Sequence, residues 1–343
     1  MRKLLNTLYI MNPEAYLALE GETVLIENGS IKLGQFPLHN LENIVSFSYK
    51  GASPALMGKC VTAGVGLAFY TPNGKYLCRV GDHEHGNVLL RKRQYSVSEQ
   101  ETGCIDIARN FIIGKVYNAR WSVSRTLRDH AIRVDMPRLQ KEIDQMDANI
   151  QMIKQCQDLE SLRGLEGVSA SCYFSVYDEL ILNQKESFKF EGRNRRPPLD
   201  NINAMLSFGY SMLANECANA LQGVGLDPYV GFMHTDRPGR KSLGLDLMEE
   251  LRPLVVDRFV LTLINNRQIN ASHFIATQSG AVEFTEDGKK LFLSEWQKHK
   301  QKELVHPFLK EKINWGLVPH IQALLLARHL RGDLDGYPPF LWR

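Results

Sequence analysis

Apolar residues in the first part of the chain come in short runs separated by turn formers. Tyr16-Leu17-Ala18-Leu19 leads into Glu20-Gly21, Thr23-Val24-Leu25-Ile26 meets Asn28-Gly29, and Ile31 and Leu33 follow. Asn-Gly between two apolar strands predicts a type I′ hairpin, because both central residues tolerate positive φ. Ile44 to Tyr49, Gly66 to Tyr70 and Tyr76 to Val80 continue the strand pattern, with Pro54, Gly64, Pro72 and Gly74 as punctuation. Ser53 to Ala63 has room for a short helix. The expectation for residues 1–85 is a small β-sandwich-like domain.

Beyond about residue 90 the apolar spacing changes to that of helices. Gln94 to Trp121, Val123 to His130 and Arg138 to Gln155 carry it, and Asp135 and Pro137 mark a break before the third. Another helix is expected from near Gly164, with Leu165, Val168, Cys172, Val176 and Leu180 as its buried stripe and Glu166 off that stripe. Phe190 to Asp200 reads as a basic loop, and Asp200 as the N-cap of a helix to Leu221 that Gly223 and Gly225 end. Val230 to Met233 presents His234. Helix resumes near Leu245 and runs towards Ile264, and Pro253 cannot donate to the carbonyl of Glu249, which predicts a kink there. Leu291 to Leu330 is again expected to be helical. The fold class is α+β, with residues 86–343 as a larger all-α domain that holds the catalytic centre.

Composition is that of a folded protein, 44% hydrophobic and 23% charged, and excludes a disordered or collagenous chain. No apolar run reaches the roughly 18 residues of a membrane span, and no signal-peptide pattern opens the chain, so a cytoplasmic protein without membrane contact is expected. Cys60, Cys78, Cys104, Cys156, Cys172 and Cys217 are scattered, without zinc-like or disulfide-framework spacing, and read as buried reduced thiols. The net charge of +3 does not by itself argue for nucleic acid. The clusters Arg91-Lys92-Arg93, Arg193 with Arg195-Arg196, and Arg237 with Arg240-Lys241 matter more, although each alone reads as a solvated face.

Three acids and one histidine stand near those clusters. Glu166 lies in Gly164-Leu165-Glu166-Gly167, where a carboxylate is also explained by the dipole of a helix start. His234 precedes Thr235, Asp236 and Arg237 and taken alone is an ordinary structural histidine. Asp246 and Glu249 share a helix face, while Glu250 points about 100° away. Two acids on one face call for a positive neighbour, which is either a divalent cation or an arginine such as Arg252. Carboxylates suit Mg²⁺ or Mn²⁺, and the imidazole favours tolerance of Mn²⁺. His83-Glu84-His85 resembles a metal clip but reads as an exposed turn. No phosphate-cradling G-x-x-x-x-G-K-[ST], no H-E-x-x-H and no G-x-S-x-G is present, so a P-loop ATPase and an α/β-hydrolase are unsupported.

The glycine-bracketed Glu166 leading to Ala170, RNRRPPLDNINAMLSFGYSML at 193–213 and GFMHTDRPGRKSLGLDLMEELRP at 231–253 resemble the CRISPR-associated protein one family, the CRISPR adaptation endonuclease and integrase. LNTLYI at 5–10, GNVLLRKRQY at 86–95 and YPPFLW at 337–342 look like its subtype I-C branch. The resemblance implies an N-terminal β domain for dimerisation and DNA contact and a helical catalytic domain. It implies Glu166, His234 and Glu249 as metal ligands, with Asp246 as an accessory acid; the second acidic place is commonly Asp in the family and is Glu249 here. Arg193, Arg195, Arg196, Arg237 and Arg240 become expected DNA-backbone contacts from charge and proximity. The implied reaction is attack of a prespacer 3′-hydroxyl on a phosphodiester at a CRISPR repeat, with Mg²⁺ or Mn²⁺. The implied partners are a second copy of the chain, a small second CRISPR-associated adaptation protein, and a CRISPR-associated iron–sulfur nuclease. The competing readings are a stand-alone metal-dependent nuclease or transposon integrase, and a non-catalytic DNA-binding scaffold.

Overall fold

The computed structural model describes residues 6–71, 76–81 and 87–342. Pro72, Gly74 and the triplet His83-Glu84-His85 lie outside the described residues. The fold is mixed α+β, with strands in the N-terminal part and helices in the C-terminal part. No helix among the described residues is long and apolar enough to cross a membrane.

The N-terminal strands are β1 (Thr7–Ile10), β2 (Tyr16–Glu20), β3 (Thr23–Asn28), β4 (Ile31–Pro37), β5 (Asn43–Ser46), β6 (Gly66–Tyr70) and β7 (Tyr76–Val80), with helix α1 (Pro54–Ala63) between β5 and β6. They form two sheets. Strands β2, β3 and β4 make an antiparallel meander, and the other four are ordered β1-β5-β6-β7. The β1–β5 and β5–β6 pairs are parallel, and α1 supplies the crossover between the latter. Ser53 caps α1 as its sequence permits, its hydroxyl accepting from the Leu56 N–H. Leu17, Val24, Ile44, Leu56, Cys60 and Leu67 from both sheets and α1 share one apolar core.

The β3–β4 hairpin falls where the sequence predicts it, but its central pair is Gly29-Ser30. Asn28 stays in the ladder opposite Ile31. Only Gly29 takes positive φ, at 60°, so the turn follows the type II′ rule rather than the expected type I′.

The later helices are α2 (Val88–Ser98), α3 (Glu101–His130), α4 (Met136–Gln155), α5 (Leu159–Ser175), α6 (Asn201–Gly223), α7 (Ser242–Arg252), α8 (Arg258–Asn265), α9 (Glu286–Gln301) and α10 (Val318–Arg331). Helix α3 continues through Ser122, whose hydroxyl bonds back to the Asn118 carbonyl. Helix α5 starts at Leu159 rather than Gly164. Asp158 is its N-cap, accepting from the Ser161 N–H at 2.8 Å, so Glu166 sits mid-helix, away from the dipole's positive end. Pro253 interrupts α7 as expected, through a π-helical segment at Pro253–Asp257. The stretch 291–330 is not one helix. After α9 the chain forms a short hairpin of β10 (Glu303–Val305) and β11 (Lys312–Asn314), with Pro307 in its loop, before α10 begins. A further pair, β8 (Phe274–Ala276) with β9 (Val282–Phe284), precedes α9.

By their contacts the described residues of 1–85 group with 272–275 and 283–302, while 86–271, 276–282 and 303–343 form a second compact unit. The cysteines are all free, and Cys78, on β7, is exposed where a buried thiol is expected.

Candidate active site

The site is built on α3, α5, α7 and the loop before α7, all within the second unit. Its organiser is Asp246, one turn into α7 and fully buried. The carboxylate accepts from the backbone N–H of Phe232 at 2.7 Å, Met233 at 3.0 Å and His234 at 2.9 Å. It also meets His234 Nδ1 at 2.6 Å. A carboxylate already taking three N–H bonds offers this nitrogen an acceptor, so Nδ1 is the donor to Asp246. Four donors fill the lone-pair sites of the carboxylate. The family resemblance implies Asp246 as an accessory acid on the helix face it shares with Glu249. In the structure its oxygens are occupied in holding His234.

The loop can lie this close only because residue 231 has no side chain. A Cβ on Gly231 would come within 2.9 Å of both the Asp246 Oδ2 and the His234 carbonyl. Asp236 closes the loop by accepting from the Gly231 N–H at 3.0 Å. Arg163, on α5, donates to the Met233 carbonyl at 2.7 Å and ties the loop to the helix that carries Glu166.

Glu166 and Glu249 converge on one cation, the ammonium of Lys115 on α3. Lys115 Nζ lies 2.6 Å from Glu249 Oε2 and also hydrogen-bonds Glu166 Oε1. Arg252 faces Glu249 from one turn along α7, with Nη1 3.3 Å from each oxygen. Burial would push the Glu249 carboxyl up, but Lys115 and Arg252 outweigh it and bring it down to about 2. His234 is close enough to act on Glu249 in the same direction. A Cβ on either Gly164 or Gly167, which bracket Glu166, would meet nothing within 4 Å, so the helix surface beside this acid is open.

Among the described residues, no three His, Cys, Asp or Glu side chains already gather as a metal-ligating group. What is gathered is a carboxylate pair sharing one positive charge, beside an imidazole oriented by Asp246. Hard oxygen donors with one imidazole nitrogen are chemistry that fits Mg²⁺ or Mn²⁺.

The arginines divide. Arg193 is turned into the fold, with its guanidinium bonded to Asn203, the Asn194 carbonyl and Ser207. Arg195, Arg196 and Arg237 are exposed, and Arg240 is half-buried. Sequence reasoning missed Lys115 and Arg163. Lys115 did leave a trace, because it falls on the apolar stripe of α3 with Phe111, Ile112, Val116 and Ala119. A cation on a core-facing stripe requires an acid partner, but the sequence does not say which one.

The sequence profile of the family described as "CRISPR associated protein Cas1" matches residues 8–298. The chain belongs to the Cas1 family. It is 44% identical over the full length of both chains to "CRISPR-associated endonuclease Cas1 1" of Chlorobaculum tepidum. It is 46% identical, again over the whole of both, to "CRISPR-associated endonuclease Cas1 2" of Rhodospirillum rubrum. A relative in Geobacter sulfurreducens, "CRISPR-associated exonuclease Cas4/endonuclease Cas1 fusion", is 32% identical over 98% of this chain and 60% of its own length. The fold is that of a "Casposase bound to integration product", with a TM-score of 0.83 at 23% identity, covering 98% of this chain and 93% of that one. It is also that of a "Cas6-RT-Cas1--Cas2 complex" chain, with a TM-score of 0.80 at 19% identity, covering 98% of this chain and 36% of that one.

Proposed function

We propose that this Cas1-family chain is a subtype I-C spacer-acquisition integrase that uses Mg²⁺ or Mn²⁺ held by Glu166, His234 and Glu249. A free 3′-hydroxyl of the prespacer duplex attacks a phosphodiester at the edge of a CRISPR repeat. The new phosphodiester forms as the bond from that phosphorus to the 3′-oxygen of the flanking target nucleotide breaks, and the proton of the attacking hydroxyl passes to solvent. Water in place of the hydroxyl gives endonuclease cleavage at the same centre.

When bound, the metal polarises the phosphoryl oxygen and stabilises the leaving oxyanion. Glu166 and Glu249 supply its oxygen donors from two helices. His234 would supply Nε2, and Asp246 aims the ring by holding Nδ1 and the loop backbone. Arg195, Arg196, Arg237 and Arg240 lie along the DNA backbone, where planar guanidinium groups suit phosphate. Arg193 supports them from within the loop.

The chain acts in the cytoplasm as a homodimer through its β-sandwich-like N-terminal domain, with the small second adaptation protein. The Cas1–Cas2 assembly among its structural neighbours supports that partner. The Cas4 fusion among its relatives supports an exonuclease partner, the iron–sulfur nuclease of the sequence-based expectation.

The observation that carries the reading is the convergence of Glu166 and Glu249, far apart in sequence, on one cation position in a chain of this family. The test is joining of a labelled prespacer to a repeat plasmid by the purified chain and its small partner, with and without Mg²⁺ or Mn²⁺. Joining should require the metal. Glu249→Ala should abolish it while prespacer affinity stays within a few-fold. Joining at the wild-type rate by that variant, or cleavage with no joining by the wild type, would defeat the proposal.

A further inference from the structure

Lys115 is a charged side chain in a place where charges are costly. The residue is only 7% exposed, and its ammonium bonds both carboxylates of the site. An ammonium and a divalent cation make the same demand on those oxygens. With Lys115 and Arg252 facing the pair, two positive charges already balance two negative ones. A metal entering without any rearrangement would add an uncompensated double charge to a poorly solvated place.

Of the two basic residues, Arg252 is the one held in place. Its guanidinium stacks 4.2 Å from the centroid of the Tyr210 ring and bridges both Glu249 oxygens. Lys115 ends in a compact charge on a flexible stem, and a small cavity opens beside it. Ser169, Tyr173, Arg252 and Asp257 line that cavity with Lys115. The Tyr173 hydroxyl is buried and faces the Asp257 carboxylate. A hydroxyl oxygen and a carboxylate are what a displaced ammonium needs.

We infer that Lys115 is the resident counter-cation of the Glu166–Glu249 pair, holding the two acids together in the metal-free protein and swinging towards Tyr173 and Asp257 when a divalent cation enters. The inference rests on the metal-site reading above and assigns a positioning role to a residue that reading does not use. Lys115 occupies the two ligands until the metal arrives, so it competes with the metal for them.

The sign of the effect separates this role from a merely structural one. A supporting residue weakens the site when removed, whereas a competitor tightens it. Full-length wild type, Lys115→Met and Lys115→Gln are titrated with Mn²⁺ by calorimetry and melted in chelator and in saturating Mn²⁺. The variants should melt lower than wild type in chelator, bind Mn²⁺ at least tenfold more tightly, and show the larger melting shift on adding metal. Equal or weaker Mn²⁺ binding by either folded variant would overturn the inference. So would a wild-type crystal structure with Mn²⁺ bound in which Lys115 Nζ still bonds both carboxylates, a readout that needs no variant to fold. Glu166→Gln separates the two failures. If Mn²⁺ binding needs Glu166 but is not tightened in the Lys115 variants, this inference alone fails. If wild type binds no Mn²⁺, the metal site itself fails.

Discussion

Glu249 and Glu250 are neighbours on α7 and both are buried, yet their surroundings drive the two carboxyls in opposite directions. Glu249 faces two cations. Glu250 faces none, and accepts from Gln322 Nε2 at 3.0 Å, from the Phe340 N–H at 2.7 Å and from the Tyr337 hydroxyl. Burial dominates there and raises its carboxyl from 4.5 to about 7, against those three hydrogen bonds. The folded protein therefore holds the Glu250 proton more tightly than the unfolded chain does. Its contribution is fully present below about pH 4.5 and is lost as pH rises towards about 7. His306, bonded to Gln322 at 3.1 Å, is shifted down by burial and acts in the opposite sense. Comparison with Glu250→Gln cancels the histidine's effect. We predict that urea midpoints move in favour of Glu250→Gln, relative to wild type, as pH rises from 4.5 to 7. A difference independent of pH over that range would contradict this account of Glu250.

At the scale of elements, the crossing of α3 and α7 sets the distance from Lys115 to Glu249. The helices approach closely at Gly114, where a Cβ would lie 2.7 Å from the Glu250 Cβ. Two effects compete in Gly114→Ala. Helix propensity favours alanine by about 1 kcal/mol, while overpacking a tight contact costs about 1–3 kcal/mol. The obstacle is a β-carbon close to the backbone, not the far end of a flexible chain, so overpacking should win. We predict a net loss of about 1 kcal/mol in urea unfolding, with weaker joining activity because α7 shifts away from Lys115. A more stable variant would show that the crossing is slack. The π-helical segment after Arg252 is the other device at this scale. Pro253 has no N–H to give the Glu249 carbonyl, so the ladder re-registers immediately after the proposed ligand.

At the scale of the whole molecule, the arginines differ in what their loss should do. Arg195, Arg196 and Arg237 project into solvent, whereas Arg193 is bonded to the loop and to α6. Replacing the three exposed residues together by alanine is expected to reduce the slope of log affinity against log salt for duplex DNA by about 2.7, at about 0.9 per phosphate contact. The fold should be unaffected. Arg193→Ala is not a test of DNA contact, because it removes a donor to Asn203 and Ser207 within the fold. Fluorescence anisotropy across a salt series measures the slope, and an unchanged slope in the triple variant would remove these arginines from the DNA surface. The α+β order, the cap at Asp200, the break at Pro253 and the residues worth watching, Glu166, His234, Asp246 and Glu249, were legible in the sequence. Those features are written in local periodicity, turn chemistry and motif spacing. The hairpin turn was read one residue off, because adjacent turns compete on nearly equal terms, while the Asp158 cap of α5 and the β10–β11 hairpin left no local signal that was read. Only the tertiary structure decided that Asp246 serves His234, that Arg193 faces inward, and that a lysine from α3 stands between the two glutamates. Contacts between segments so distant in sequence depend on how helices cross, and no local pattern of residues encodes a crossing.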